Sequence, residues 1–278
     1  MRLRPLIKDI VNDVEAYPNV KINDISTDSC SIKKGSLFFA IKGSHHDGHD
    51  YINDAIKNNV SAIIANKELK NLSVPLIKVK DTRRVLSKIA SKFYKNPSKK
   101  LKIIGVTGTN GKTTTSSLIK SIFDSADIDA AQLGTNGLIS KCNFYNSSFT
   151  TPDPIYLNKL ISMLVEKKVS YLTMEVSSHS IDQHRVTDIE FDTAIFTNLS
   201  QDHLDYHKTI DNYFNTKLKL FKMIKDNRKC VINYDNQYGK IIDKKIKKET
   251  IKSSINLKVD FHYKSLKCDL NGIKGIIS

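Results

Sequence analysis

Short apolar runs alternate with helical periodicities through the first hundred residues. "SLFFAI" (36–41) predicts a strand, and "SAIIA" (61–65) and "PLIKV" (75–79) predict two more. Between the first two, "DYINDAIKNN" (50–59) sets Ile52, Ala55 and Ile56 on one side of a helix. Asp81 is placed to cap a further helix carrying Val85, Leu86, Ile89, Ala90 and Phe93. That helix must stop before Pro97, because the residue preceding a proline is pushed out of helical geometry. "KNPSKK" (95–100) therefore predicts a boundary between an N-terminal domain, 1–97, and a second domain, 98–278.

The second part opens with "LKIIGVTG" (101–108), a short apolar strand running into a glycine turn. The helix expected after it carries Leu118, Ile119, Ile122 and Phe123 as a buried stripe. "YLTMEVSS" (171–178), "TAIFTNLS" (193–200) and "CVINYD" (230–235) predict buried strands with polar ends. Strand–helix alternation implies an α/β fold: a small N-terminal α/β domain, then a P-loop-type central domain with a mostly parallel sheet flanked by helices. Ligands of such sheets gather at the carboxyl ends of strands. Three polar clusters fall at those ends: 108–113, 175–179 and 198–203.

Composition narrows the function classes. The 278 residues suffice for two domains of ~100–200 residues each. With 40% hydrophobic and 26% charged residues the chain is globular, and no apolar run approaches the ~18 residues of a membrane span. Its start, "MRLRPLIKDIVNDVEAY", soon acquires acids and does not read as a signal peptide. Cys30, Cys142, Cys230 and Cys268 are far apart, which fits neither a zinc site nor a disulfide framework and points to a reducing cytoplasm. The net charge of +15 raises the question of nucleic acid, yet only six of the 44 basic residues are arginine. Arginine is the residue that reads bases and phosphates bidentately. The densest basic run, "DKKIKKE" (243–249), has no interleaved aromatics and reads as a solvated face. The expectation is a cytoplasmic monomer with no nucleic-acid partner and no membrane insertion.

The chemistry concentrates in "VTGTNGKTTT" (106–115). Gly108 and Gly111 let the backbone bend tightly and bring N–H groups near an oxyanion, and the following helix start adds unpaired donors. Lys112 would reach terminal phosphates, and the Thr113 hydroxyl could ligate Mg²⁺. The strict P-loop spacing would put its first glycine at 106, which is valine, so this is a variant cradle. Glu175 closes an apolar strand, where a carboxylate must be paired or metal-bound, or else caps a helix. His203 is either a partner in the same ion site or an ordinary loop residue, and imidazole is not a preferred Mg²⁺ ligand. "HLDYH" lacks the glutamate of the zinc motif H-E-x-x-H. Ser177 and His179 invite a hydrolase reading, but there is no G-x-S-x-G elbow. Arg185 suits a carboxylate or phosphate, or a structural ion pair.

Taken in order, "GVTGTNGKTTT", "TTPD", "MEVSSHSIDQHRV" and "TNLSQDHLDYH" resemble the Mur ligases, and "STDSCSIKKGSLFFAIKGSHHDGHDYI" resembles the uridine-nucleotide domain of that family. The resemblance extends over essentially the whole chain. It implies an ATP-dependent ligase of peptidoglycan synthesis, adding a third amino acid to UDP-N-acetylmuramoyl-dipeptide through an acyl-phosphate. The amino acid expected is meso-diaminopimelate, with lysine as the alternative. It implies ATP held by Gly108, Thr109, Asn110, Gly111, Lys112, Thr113 and Thr114. Mg²⁺ would be held by Thr113, Glu175, His203 and a carbamylated Lys217, with Lys112, Lys217 and His203 catalytic. Thr27, Ser29, Ser44, His45 and His46 would meet the uridine nucleotide, and Thr150, Thr151, Ser177, Gln183 and Arg185 the muramoyl-dipeptide part. Cys30 stands where the family commonly has arginine. Family members continue beyond the last residues here to finish the central domain and add an amino-acid-binding domain. The alternatives are a non-catalytic remnant that binds uridine nucleotide and ATP, or another Mur or folylpolyglutamate-type ligase.

Overall fold

The computed structural model describes residues 1–43, 46–141, 143–145, 149–269 and 272–278. It divides into two compact units. The first comprises Met1–Pro97, Asp153–Ser162 and Gln183–Asp188; the second comprises Ser98–Pro152, Met163–Asp182 and Ile189–Ser278.

The first unit is built on four parallel strands, β1 (Asp24–Ser26), β2 (Ser36–Phe39), β3 (Ala62–Ala65) and β4 (Leu76–Lys78), hydrogen-bonded in that order. Among the described residues the helices α1 (Leu3–Ile7), α2 (Ile52–Lys57) and α3 (Thr82–Phe93) accompany it. Side chains alternate between faces along a strand. Leu37 and Phe39 of β2, with Ala62 and Ile64 of β3, therefore pack on one face with Leu3, Leu6, Leu86 and Ile89. Phe38, Ile63 and Ala65 pack on the other with Ile52 and Ala55. Burial on both faces explains why these strands read as unbroken apolar runs. The helix predicted over 50–59 starts with a 3₁₀ turn, Gly48–Tyr51, because Asp47 accepts the His49 N–H and tightens the entry. Asp81 caps α3, accepting the Arg84 N–H at 3.0 Å, and the helix stops at Phe93, ahead of Pro97.

The second unit holds ten strands: β5 (Lys102–Thr107), β6 (Ala130–Gly134), β7 (Gly137–Ser140), β8 (Asn143–Tyr145), β9 (Tyr171–Glu175), β10 (Thr193–Phe196), β11 (Cys230–Asn233), β12 (Thr250–Ser254), β13 (Phe261–Asp269) and β14 (Gly272–Ile277). Their order in the sheet is β14-β13-β12-β11-β10-β5-β9-β6-β7-β8. From β6 to β13 every neighbouring pair is parallel, while β6–β7, β7–β8 and β13–β14 are antiparallel. The helices are α4 (Lys112–Ser125), α5 (Pro154–Glu166), whose first turns group with the first unit, α6 (Ser178–Asp182), α7 (Leu204–His207), α8 (Ile210–Lys222) and α9 (Gln237–Lys245).

Strand β5 lies between β9 and β10, with the sheet growing outward on both sides, so its carboxyl end is a topological switch point. The register pairs Val106 with Glu175 and Thr107 with Phe196. All three polar clusters expected at strand ends thus share one rim of one sheet. The α/β architecture is the one the alternation of elements implies.

The buried stripe expected on α4 is not there. Leu118 is 59% exposed and Ile122 68%, while Ile119 and Phe123 are only half-buried. The inner face is polar instead. Ser116 is fully buried, the Ser117 hydroxyl accepts from Gln132 Nε2 at 3.0 Å, and Thr113 donates to Glu175. Small hydroxyl side chains can approach the sheet closely, two of them bonded to Glu175 and Gln132 and Ser116 enclosed without a partner, and this turns the larger apolar groups outward. The strands β6–β8 and β12–β14 were not anticipated either.

Two substitutions separate these environments. Leu172→Ala, on a fully buried β9 position, should destabilise the chain by about 2–5 kcal/mol. Ile122→Lys should change stability by no more than about 0.5 kcal/mol. Chemical denaturation measures both, and a large loss for Ile122→Lys would restore the stripe.

Candidate active site

The loop between β5 and α4 is shaped by its glycines. Gly111 caps α4 with φ 81° and ψ 0°, a left-handed conformation that other residues adopt at a cost. Gly108 is needed for space: a Cβ there would lie 1.8 Å from Thr197 Oγ1. The loop is pinned from β10. Thr197 Oγ1 donates to the Asn110 carbonyl at 2.7 Å, Asn198 Oδ1 accepts the Asn110 N–H at 3.0 Å, and the Asn198 carbonyl accepts the Thr109 N–H at 2.9 Å.

Two lysines converge on this loop. Lys112 Nζ donates to the carbonyls of Gly108 at 3.0 Å and Thr109 at 2.9 Å. Lys217 Nζ, reaching across from α8, donates to the same Gly108 carbonyl at 2.8 Å. Burial lowers the pKa of Lys112, opposed by the nearby Glu175 and Asp202 carboxylates. Lys217 is 1% exposed. Burial, with the neighbouring Lys112 charge, pushes it down to about 7 from an ordinary 10.5, and Asp202 acts in the opposite direction.

Glu175 is 1% exposed at the end of β9, and its carboxylate is fully engaged. It accepts from Thr113 Oγ1 at 2.9 Å, from the Thr135 N–H at 2.9 Å and from Thr135 Oγ1 at 3.2 Å. A Cβ on Gly134 would lie 1.9 Å from Glu175 Oε1, so that glycine makes the space the carboxylate occupies. Thr151 Oγ1 donates to the Glu175 carbonyl at 2.9 Å and accepts the Ser177 N–H at 3.2 Å, while Thr150 Oγ1 lies 3.1 Å from Thr135 Oγ1. The structure therefore brings Gly108, Thr109, Asn110, Lys112, Thr113, Thr150, Thr151, Glu175, Ser177 and Lys217 into one hydrogen-bonded neighbourhood.

His203 stands apart from the carboxylate network. It adopts φ 52° before α7, with its ring 4.9 Å from His179 and 6.1 Å from Tyr213, and its Nε2 3.5 Å from Asp202. In the first unit, Gln183 Oε1 accepts from Arg185 Nε at 3.1 Å and Nη2 at 2.7 Å. Thr27, Ser29 and His46 line a cavity of about 340 Å³ with Cys30, Phe38 and Tyr51. Ser44 and His45 lie outside the described residues.

Sequence reasoning missed Thr135 and Asp202. For Thr135 a signal was present: the tetrapeptide GTNG of the loop, 108–111, recurs at 134–137. Asp202 was passed over beside His203, although it is the carboxylate acting on both lysines.

The donor set can be tested against Mg²⁺, which takes oxygen ligands, uses one or two carboxylates and leaves the rest to phosphates and water. Thr113 and Glu175 supply a hydroxyl and a carboxylate already in contact, next to a helix start that favours anions. Among the described residues no group of three or more His, Cys, Asp or Glu is arranged to hold a metal. A cation here would depend on phosphate oxygens for much of its shell, which is the Mg²⁺ pattern, and the site fits it. Among the described residues, no helix is long and apolar enough to cross a membrane.

The profile "Mur ligase middle domain" matches residues 106–278, and "Mur ligase family, catalytic domain" matches residues 21–94. The UDP-N-acetylmuramoyl-L-alanyl-D-glutamate--2,6-diaminopimelate ligase of Caldanaerobacter subterraneus subsp. tengcongensis is 40% identical over 278 residues, covering 99% of this chain and 57% of that relative. A solved structure of a ligase with the same name superposes with a TM-score of 0.84 at 25% identity, covering 100% of this chain and 57% of the other. The MurF ligase from Thermotoga maritima, solved in complex with ADP, shares the fold with a TM-score of 0.59 at 20% identity, over 93% of this chain and 56% of its own. This chain thus spans little more than half the length of these relatives. By the match of its second unit to the middle-domain profile, this chain belongs to the Mur ligase family.

Proposed function

We propose that this chain supplies the uridine-nucleotide and ATP sites of a ligase that adds meso-diaminopimelate to UDP-N-acetylmuramoyl-L-alanyl-D-glutamate in the cytoplasm. The observation that carries this reading is the convergence of Lys112, Lys217, Thr113 and Glu175 on the glycine loop. The names of the relatives supply the substrate. A carboxylate resists amines at neutral pH, so its oxygen must first become a leaving group. Transfer of the γ-phosphoryl group of ATP does this, and the incoming amine then attacks the acyl carbon and releases phosphate. Such chemistry needs positioning and charge neutralisation above all.

The residues divide that work. Loop N–H groups and the start of α4 receive phosphate oxygens, with Gly108 to Thr114 as the cradle. Lys112 leaves the loop carbonyls for the phosphates. Thr113 and Glu175, with His203 at the rim, would hold Mg²⁺, which when bound offsets the charge between the phosphates and the acceptor carboxylate. Thr150, Thr151, Ser177, Gln183 and Arg185 orient the muramoyl-dipeptide. Thr27, Ser29, Ser44, His45 and His46 hold the uridine nucleotide, and the Phe38 and Tyr51 rings supply apolar walls for the base.

Lys217 enters as its neutral amine. An amine held near 7 is substantially unprotonated in the cell and can add CO₂. The nitrogen lone pair forms an N–C bond to CO₂, one C=O bond opens to a carboxylate oxygen, the N–H proton leaves to solvent, and an anion replaces a neutral amine beside the loop.

The ligase reading is tested with the chain extended to the length of its relatives and supplied with ATP, Mg²⁺ and UDP-N-acetylmuramoyl-L-alanyl-D-glutamate. Chromatography should show a tripeptide product with diaminopimelate, and Lys217→Ala should slow its formation at least about a hundredfold. Absence of product with diaminopimelate, lysine and ornithine alike would refute the reading.

The nucleotide pocket can be tested on the chain as it stands. Cys30 is exposed and lines the 340 Å³ cavity, whereas Cys230 is buried with its thiol pushed up to about 11. Saturating uridine diphosphate should slow alkylation of Cys30, read by peptide mass spectrometry. An unchanged rate would move the nucleotide elsewhere.

The Lys217 amine sets a pH dependence with a defined sign. The unfolded chain keeps that proton up to about 10.5, the folded chain only to about 7. Between these values the unfolded state binds more protons, so folding stability gains as pH rises, by at most about 1.4 kcal/mol per pH unit. Lys217→Met should therefore be more stable than the parent at pH 6, with the difference shrinking by pH 9. A difference independent of pH would show that Lys217 is not depressed.

A further inference from the structure

None of the roles assigned above explains how Lys217 is kept against the loop. The lysine is buried on α8, and among the described residues one hydrogen bond, to the Gly108 carbonyl, holds its amine. Two residues without an assigned role stand in line behind it. Tyr213 stands one helical turn earlier, on the same side of α8. It is 1% exposed, and Lys217 Nζ lies 4.5 Å from its ring centroid. The Tyr213 hydroxyl lies 3.3 Å from Thr109 Oγ1, which in turn accepts the Ser200 N–H at 3.0 Å. The ring therefore touches the amine while its polar end is tied to the loop.

Behind Tyr213 is His207, the last residue of α7. Its ring lies 5.0 Å from that of Tyr213 at 34°. It is 6% exposed, and Nε2 lies 2.9 Å from the buried Ser178 hydroxyl at the start of α6, just beyond the strand that ends in Glu175. A continuous column thus runs Ser178–His207–Tyr213–Lys217, ending on the Gly108 carbonyl. Each member is at least nine-tenths buried, so each contact limits the movement of the next.

We propose that Tyr213 and His207 are positioning residues that fix the Lys217 amine beside the phosphate loop, with Ser178 as the anchor of the column. Tyr213 does this through the face of its ring, because a cation or a polarised amine is attracted to that face and an aromatic wall excludes water on the same side. His207 does it by holding the Tyr213 ring against α8. The hydroxyl of Tyr213 serves the loop, and the ring serves the lysine, so the two functions separate by substitution. The proposal deepens the ligase reading, since it gives Lys217 its place in that site, but the geometry it describes can be measured without any substrate.

The experiment uses the 278-residue chain labelled with ¹³C at the lysine ε-carbons, with the Lys217 signal assigned by its loss in Lys217→Arg. A methylene held over an aromatic face is displaced upfield from the common lysine position. Tyr213→Phe should keep that displacement, because the ring remains. Tyr213→Leu should return the signal to the common position. His207→Ala should move it in the same direction, and His207→Gln, which can still bond Ser178, should restore it at least in part. A Lys217 signal unmoved in a folded His207→Ala or Tyr213→Leu chain would overturn the proposal. Buried substitutions can unfold a protein, so the two conservative variants carry the test if the others do: loss of the displacement in folded Tyr213→Phe would equally overturn it. Failure of the ligation assay with these signals intact would sink the ligase reading and leave the column standing.

Discussion

Two amines on one carbonyl oxygen is the constraint around which the second unit is organised. Lys112 and Lys217 both donate to the Gly108 carbonyl. Burial disfavours the charge on both amines, and at Lys217 the Lys112 charge adds to that. The deeper amine, Lys217, is the one pushed to about 7. Asp202 and Glu175 oppose the shift at Lys112, and Asp202 opposes it at Lys217, so the two amines are not equivalent. The loop therefore meets one lysine whose charge two carboxylates favour and a deeper one whose charge is favoured by Asp202 alone.

That asymmetry depends on what surrounds the loop. Glu175 is placed by the β5–β9 register and kept there by three hydrogen bonds, and Gly134 leaves the room it needs. From the other side, Thr197 and Asn198 of the segment after β10 fasten Asn110 and Thr109. The contacts to Glu175 pair a buried carboxylate whose unpaired oxygens would carry a penalty of about 1–3 kcal/mol. The rim is stiff because its polar groups have been spent on one another. The N–H groups of Thr109 and Asn110 are both taken by Asn198, which fixes the course of the loop.

How far the sequence could be read follows from which physical rule decided each feature. The strands of the first unit were legible because a parallel sheet buried on both faces needs unbroken apolar runs, and "SLFFAI" and "SAIIA" are such runs. The cap at Asp81 was legible because its carboxylate does what an N-cap does locally. The glycine loop and Glu175 could be named from position, at the ends of predicted strands. Lys217 could not, since nothing in its spacing separates it from the many other lysines of the chain, and what singles it out is burial beside Gly108. Thr135 and Asp202 act through contacts with residues far away in the chain, which periodicity does not encode.

The misreading of α4 has the same origin and a wider consequence. Periodicity ranks side chains by hydrophobicity and assumes that the most apolar face is the inner one. Here the inner face must serve a carboxylate and approach the sheet closely, and hydroxyls meet both demands: Thr113 bonds Glu175, Ser117 bonds Gln132 and Ser116 is enclosed. The helix after the glycine loop is thus turned about its axis by what its first turns bond, and its apolar residues take the positions that remain. A helix whose first turn is tied to a buried carboxylate is a poor subject for a stripe argument, because that tie decides which face looks inward.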